Sequence, residues 1–290
     1  FSPGHPDVRV VAYADDTFIQ GSPAALAGAF PALCASGALI GLEAALAKCG
    51  AYSPDARATA TVAATLGVTP RPEGLVVAGT PVGNHAFVTA HARSCAGDAC
   101  LLVDCLLELP LPAQDQLLLL RLSLQTRLAH LPRAASWDLV GAAVHSLEDH
   151  AASAAWAIMQ RPRQLGAGAR QLALPLRYGG CGIQATSPAA ARAAYLAAAA
   201  VADSSMRAGP SEFRPFSGPG APALRQQWQE LCASADGLWA PAEHFASPAS
   251  VRDVLPLAQR TYGRYAASCD HAALLASLDG ATAAGERALA

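Results

Sequence analysis

Residues 8–21 read Val-Arg-Val-Val-Ala-Tyr-Ala-Asp-Asp-Thr-Phe-Ile-Gln-Gly, and they constrain the fold more than any other stretch. Two runs rich in β-branched and aromatic side chains, Val8–Tyr13 and Thr17–Ile19, flank Ala14-Asp15-Asp16. That pattern predicts a tight β-hairpin with both carboxylates at its tip. Adjacent carboxylates repel, so ionising both requires a cation close by. Mg²⁺ suits the position, because it prefers hard oxygen ligands and serves phosphoryl transfer in pairs. The alternative is an ordinary Asp-Asp turn, since Asp is common in turns.

The rest of the chain supplies a large core for such a hairpin. Of 290 residues, 52% are hydrophobic and 14% charged, which predicts a globular chain of one large domain or two small ones. A net charge of −2 does not by itself advertise a nucleic-acid partner. Its distribution is less even: from Arg121 to Arg192 eight arginines face three acids, a local charge of +5. That is enough for a modest phosphate-facing patch, with Arg127 and Arg133 central to it. Ordinary solvated helix faces are the alternative.

Metal and membrane readings find less support. The eight cysteines show no CxxC pair. Cys95, Cys100 and Cys105 follow His85 and His91, but steps of five do not share a helical face. His145, Glu148 and His150 miss the order of a zinc-protease helix. Buried free thiols are therefore expected. No signal peptide is present, and Arg192 interrupts the most apolar alanine run, so no membrane association is expected.

Along the chain, Ser22-Pro23 predicts a helix start, with Pro31 kinking the helix and Gly37 ending it. This helix should pack beneath the hairpin. Residues 53–64 read as a loop and short helix, and Gly74–Gly83 as two strands about a Gly-rich turn. Helices are expected at about 90–109, 113–130 and 136–160. In the second, Leu117, Leu120, Leu124 and Leu128 form one face, which Leu118, Leu119 and Leu122 broaden into a mostly buried helix. The third carries Val140, Val144, Leu147, Ala151, Ala154 and Ile158 at helical period. Leu174–Ile183 predicts a Gly-rich turn before a short strand, and Ser187-Pro188 another helix start. Residues 209–222 read as a linker and 223–290 as a further helical segment, with helical stretches around 224–234 and from 247 onward.

Tyr13-Ala14-Asp15-Asp16 resembles the Tyr-Ala-Asp-Asp box of reverse transcriptases, especially those of non-LTR, LINE-like retrotransposons. Gly41-Leu42 with Lys48 resembles the next palm motif of that family, and Lys48 is the only lysine in the chain. Gly74–Gly83 is similar to the hairpin that grips the primer, and Leu174–Ile183 to a segment after the thumb. The resemblance covers about residues 8–200. It implies an α+β fold: 1–89 as the C-terminal part of a polymerase palm, 90–208 as a mainly α-helical thumb and connector.

The same resemblance implies two-metal nucleotidyl transfer on an RNA template and a DNA primer, with Mg²⁺ held by Asp15 and Asp16. Tyr13, Gly79 and Gly83 would lie against the primer, with Arg127 and Arg133 as further contacts. Lys48 would give its proton to the leaving pyrophosphate, which arginine holds too tightly to do; a plain surface lysine is the alternative. Localisation would be intracellular, and nuclear for an active retroelement. Such chemistry also needs a third carboxylate and fingers. Asp7 cannot serve, because about eight extended residues at ~3.3 Å each separate it from Asp15. The chain alone is therefore expected to be inactive. The other expectation is a degenerate remnant that binds nucleic acid or serves as a helical interaction module.

Overall fold

The computed structural model describes residues 8–13, 16–183, 185–206 and 266–276. The fold is α+β, and 62% of the described residues are helical, so helix packing rather than sheet pairing carries most of the core. Two compact units divide the chain, residues 1–91 and 92–290.

In the first unit, β1 (Arg9–Tyr13) and β2 (Asp16–Gln20) pair antiparallel from Arg9↔Gln20 to Tyr13↔Asp16. Helix α1 (Pro23–Leu39) begins as the sequence predicts. Ser22 is its N-cap, its hydroxyl accepting from the Ala25 N–H, and Pro23 takes the first turn, where no N–H is needed. The helix packs mainly on α2 (Ala56–Leu66) and touches only β2 of the hairpin, whose Val10 and Val11 stay exposed, so the expected packing beneath the hairpin is not borne out.

The other end of α1 corrects the sequence reading. Pro31 lies inside the helix, and Gly37 does not end it. The Leu42 N–H donates to the Gly37 carbonyl at 2.9 Å and the Gly41 N–H to the Ala38 carbonyl at 3.2 Å. Gly41, at φ 80°, adopts the left-handed conformation that closes this six-residue cap. Gly37 thus provides an acceptor, while Gly41 makes the stop.

Short parallel strands β3 (Gly50–Ala51) and β4 (Thr69–Pro70) are joined through α2. Ala51, Val62 and Ala63 form the small core there, with Leu26, Leu66 and Val68 against it. Buried Thr59 holds the turn before α2: its hydroxyl accepts from the Ser53 N–H at 2.8 Å. Strands β5 (Gly74–Val77) and β6 (Thr80–Gly83) form the second predicted hairpin. Ala78 and Gly79 both have positive φ, 48° and 79°, which defines the turn type that matches strand twist.

Helix α3 (His85–Glu108) starts earlier than the predicted 90, because Asn84 caps it by accepting from the Phe87 N–H. In the second unit, the Gln116 side chain donates to the carbonyls of Leu106 and Leu109 at the end of α3. The predicted continuous helix over 113–130 is instead α4 (Ala113–Leu119), a π-helical turn (Leu120–Leu124) and a run of turns to α5 (Leu131–Ala134). Leucines at 120, 124 and 128 are all buried. A strict stride of four drifts around an α-helix, and the wider π turn brings these three back to one side. The broad buried face is also corrected: Leu118, Leu119 and Leu122 are 45%, 42% and 63% exposed.

Helix α6 (Trp137–Ile158) follows its predicted course, with Val140, Val144, Leu147, Ala151, Ala154 and Ile158 all buried. Around it pack α4, the π turn, α5 and α8 (Pro188–Met206), whose alanines allow close approach. Ser187 caps α8 by accepting from the Ala190 N–H, as its sequence predicts.

Between them, α7 (Ala167–Ala173) and a 3₁₀ turn (Leu176–Tyr178) lead into the glycine loop. No strand follows that loop up to Ile183, a further correction. Instead the loop folds back, the Gly182 N–H donating to the Leu174 carbonyl and the Ile183 N–H to the Leu172 carbonyl. A β-carbon on Gly180 would collide with the Leu174 carbonyl, so only glycine allows the reversal. A last helix, α9, spans 266–276. The linker over 209–222 and the helical stretches expected at 224–234 and between 247 and 265 lie outside the described residues.

Candidate functional site

The register of the first hairpin fixes its tip. Tyr13 pairs opposite Asp16, so Asp16 is the last paired residue of β2 at the turn end of the hairpin. Asp16 is exposed, and no ion pair engages its carboxylate among the described residues. Asp15 and the Tyr13 side chain lie outside the described residues. An exposed carboxylate without an ion-pair partner among the described residues is one hard-oxygen donor of the kind Mg²⁺ takes. Among the described residues no group of three or more His, Cys, Asp or Glu converges on a metal position.

Lys48 belongs to the first unit as well. It sits in a turn, exposed, with its N–H donating to the Ala45 carbonyl at 2.8 Å. Its ammonium has no carboxylate partner among the described residues.

The two glycines of the second hairpin have local reasons to be glycine. Gly79 occupies the left-handed turn position, with open space where a β-carbon would stand. Gly83 faces Gly74 across the ladder, and the Phe87 ring edge fills the slot between them. A β-carbon would stand 2.5 Å from that ring at Gly74 and 2.8 Å at Gly83. A β-carbon on Gly83 would also meet the Glu73 carbonyl, so local packing is a sufficient cause for glycine there.

The arginines belong to the second unit. Arg127, on the turns after the π turn, and Arg133, in α5, are exposed, and neither pairs with a carboxylate among the described residues. Arg163 does so instead: it pairs with Asp149 on α6 and holds that carboxyl below its ordinary range. Its own pKa rises for the same reason. Arg177, also exposed, lies over the Tyr178 ring.

Among the described residues the histidines and cysteines form no cluster of three or more potential ligands. His150 Nε2 lies 2.7 Å from Asp104, joining α6 to α3, and His145 Nδ1 lies 3.3 Å from Glu148. Glu148 in turn accepts from the Thr186 N–H at 2.8 Å, tying α6 to the lead-in of α8. The seven described cysteines are free but half-buried or exposed, so the expectation of fully buried thiols does not hold. Partial burial, with Asp98 and Asp104 adding, pushes the Cys95 and Cys100 thiols up, which keeps them protonated at neutral pH.

Comparison with protein-family models, with curated proteins and with solved structures gives no significant match for this chain. No helix among the described residues is long and apolar enough to cross a membrane.

Proposed function

We propose that this chain is part of an RNA-directed DNA polymerase of the non-LTR retrotransposon kind, with residues 1–89 the C-terminal part of its palm and residues 90–208 a thumb and connector. The observation that supports the reading is the Tyr13↔Asp16 register, which puts Asp16, the sequence neighbour of Asp15, at the turn end of a hairpin. Asp15 and Asp16 would hold Mg²⁺. When bound, the ion neutralises charge developing on phosphoryl oxygens during nucleotidyl transfer.

The third carboxylate and the fingers that the reaction also needs are not among these residues, so the chain alone is expected to be inactive. The β1–β2 ladder holds the backbone of Asp16, so that residue is placed before charge develops. Lys48 gives its proton to the departing pyrophosphate, a transfer open to an ammonium and closed to a guanidinium. Arg127 and Arg133, exposed and without a carboxylate partner among the described residues, hold the backbone of the template–primer duplex. That last feature also supports a second reading, nucleic-acid binding without catalysis.

Binding of a labelled primer–template with Mg²⁺ or with EDTA tests the hairpin. In EDTA the two carboxylates repel phosphate, so Asp15→Asn with Asp16→Asn tightens binding. Mg²⁺ tightens binding by the unaltered chain and leaves the double variant unchanged. An equal Mg²⁺ response in both proteins would assign the ion to the nucleic acid alone and leave Asp15-Asp16 as a turn.

A further inference from the structure

Tyr178 ends the 3₁₀ turn that opens the glycine loop, and Gly179 follows it at φ 76°. The chain therefore reverses directly after the ring. The Arg177 guanidinium carbon lies 4.8 Å from the Tyr178 ring centroid. On the same ring stacks the imidazole of His271 from α9, with centroids 4.8 Å apart and planes inclined by 23°. Buried Leu274, one turn further along, seats the helix, while Cys269 and Leu275 remain exposed.

Two features separate this stack from ordinary helix packing. The first is its chemistry: a flat nitrogen heterocycle nearly parallel to a tyrosine, with a guanidinium over that tyrosine. Proteins hold unpaired nucleobases this way, and aromatic stacking is tolerant of base identity. The second is the stiffness of its mount. The backbone bonds of Gly182 and Ile183 close the loop, and the Gln125 side chain donates to the Gly182 carbonyl at 2.9 Å. Arg121 lies along Gly182, which brings another cationic side chain to the same loop. Neither Arg121 nor Arg177 pairs with a carboxylate among the described residues.

We propose that Tyr178, with Arg177 over its ring, is a stacking platform for an unpaired base of single-stranded nucleic acid, and that His271 occupies it until the strand displaces it. The proposal rests on the nucleic-acid reading above and adds a single-strand site to it. It gives α9 a role as a self-bound cover.

The test uses the full 290-residue chain and a fluorescent oligothymidylate carrying one 5-iodouracil. Irradiation is expected to crosslink the iodouracil to Tyr178, more strongly in His271→Ala. Tyr178→Ala should weaken single-strand binding roughly 5- to 150-fold, the range of about 1–3 kcal/mol for one stacked base. Tyr178→Phe should preserve it, since stacking needs no hydroxyl, and His271→Ala should tighten it. The salt dependence should be the same in all three, because no phosphate contact is removed. Should Tyr178→Ala disturb the loop, the gain in His271→Ala and the crosslink position decide, and misfolding produces neither. Crosslinks elsewhere, or unchanged affinity in both alanine variants, would overturn the platform. If salt-sensitive binding of a primer–template duplex persists in that case, the polymerase reading stands; a chain that binds no nucleic acid would overturn both.

Discussion

The Gln125 side-chain amide donates to two carbonyls at once, Arg121 and Gly182, each at 2.9 Å. Arg121 is its own neighbour in the π turn, whereas Gly182 belongs to the glycine loop. One amide thus satisfies a carbonyl left free by the wide turn and pins a distant loop to it. This bond is the clearest physical reason for the two irregular segments of the second unit to coexist.

Removing that amide should therefore loosen both segments. Gln125→Ala is expected to cost about 1–2 kcal/mol, the usual range for two lost hydrogen bonds that leave acceptors behind. Gly182→Ala should cost a similar ~1–2 kcal/mol for a different reason, the left-handed φ of 70° at that position. Urea midpoints measure both, and the double variant should lose less than the sum, because the sites share one contact.

Two helical glycines should respond in opposite directions. At Gly97, exposed in α3, nothing stands within 4 Å of an added β-carbon, so Gly97→Ala should stabilise the chain by up to about 1 kcal/mol. At Gly141 the Trp137 ring lies 2.7 Å from that position and is held edge-on by His145. There the displaced ring outweighs the helical gain, and Gly141→Ala should lose about 1–2 kcal/mol in the same denaturation assay.

Much of this architecture can be read from local chemistry. Ser22-Pro23 and Ser187-Pro188 announce helix starts, since a hydroxyl acceptor followed by a residue without N–H solves the same end problem twice. The period of Val140 to Ile158 gives α6 directly. Other features were hidden for physical reasons. Gly37 and Gly41 are both plausible stops, and only tertiary packing decides that the helix tolerates the first. The leucine stride at 120, 124 and 128 fits an α-helix and a π turn alike. Asn84 was a legible cap for α3, passed over because apolar periodicity begins later. The first hairpin was legible as a pattern, but the pairing of Tyr178 with His271 leaves no trace in local sequence.

The Asp149–Arg163 pair gives a small pH dependence whose sign is fixed. Its hydrogen bond and charge hold the Asp149 carboxyl below the ordinary value of 3.8. A depressed pKa means stability that is fully present above that ordinary value and lost as pH falls through the folded-state value. Thermal midpoints of the parent chain should therefore fall more steeply in acid than those of Asp149→Asn. Both side chains are largely exposed, so the difference should shrink in high salt.

If Arg127 and Arg133 face phosphate, binding of a primer–template duplex should weaken with salt. Each contact contributes about −0.9 to the log–log slope on B-DNA, so three or four contacts give roughly −3. Replacing both arginines with Gln should remove up to about two of those units and leave the circular dichroism spectrum, dominated by helix, unchanged. A slope that survives both substitutions would return these arginines to ordinary helix surface.

The central claim is that Asp15 and Asp16 hold a divalent ion beside a primer end, and localised cleavage tests it most directly. Fe²⁺ in place of Mg²⁺ produces hydroxyl radicals that cut only the nucleic acid close to the ion. With a primer–template bound to the chain, cuts should centre on the primer 3′ terminus and disappear in Asp15→Asn with Asp16→Asn. Cleavage spread evenly along the duplex, or the same terminal cuts in the double variant, would contradict the account.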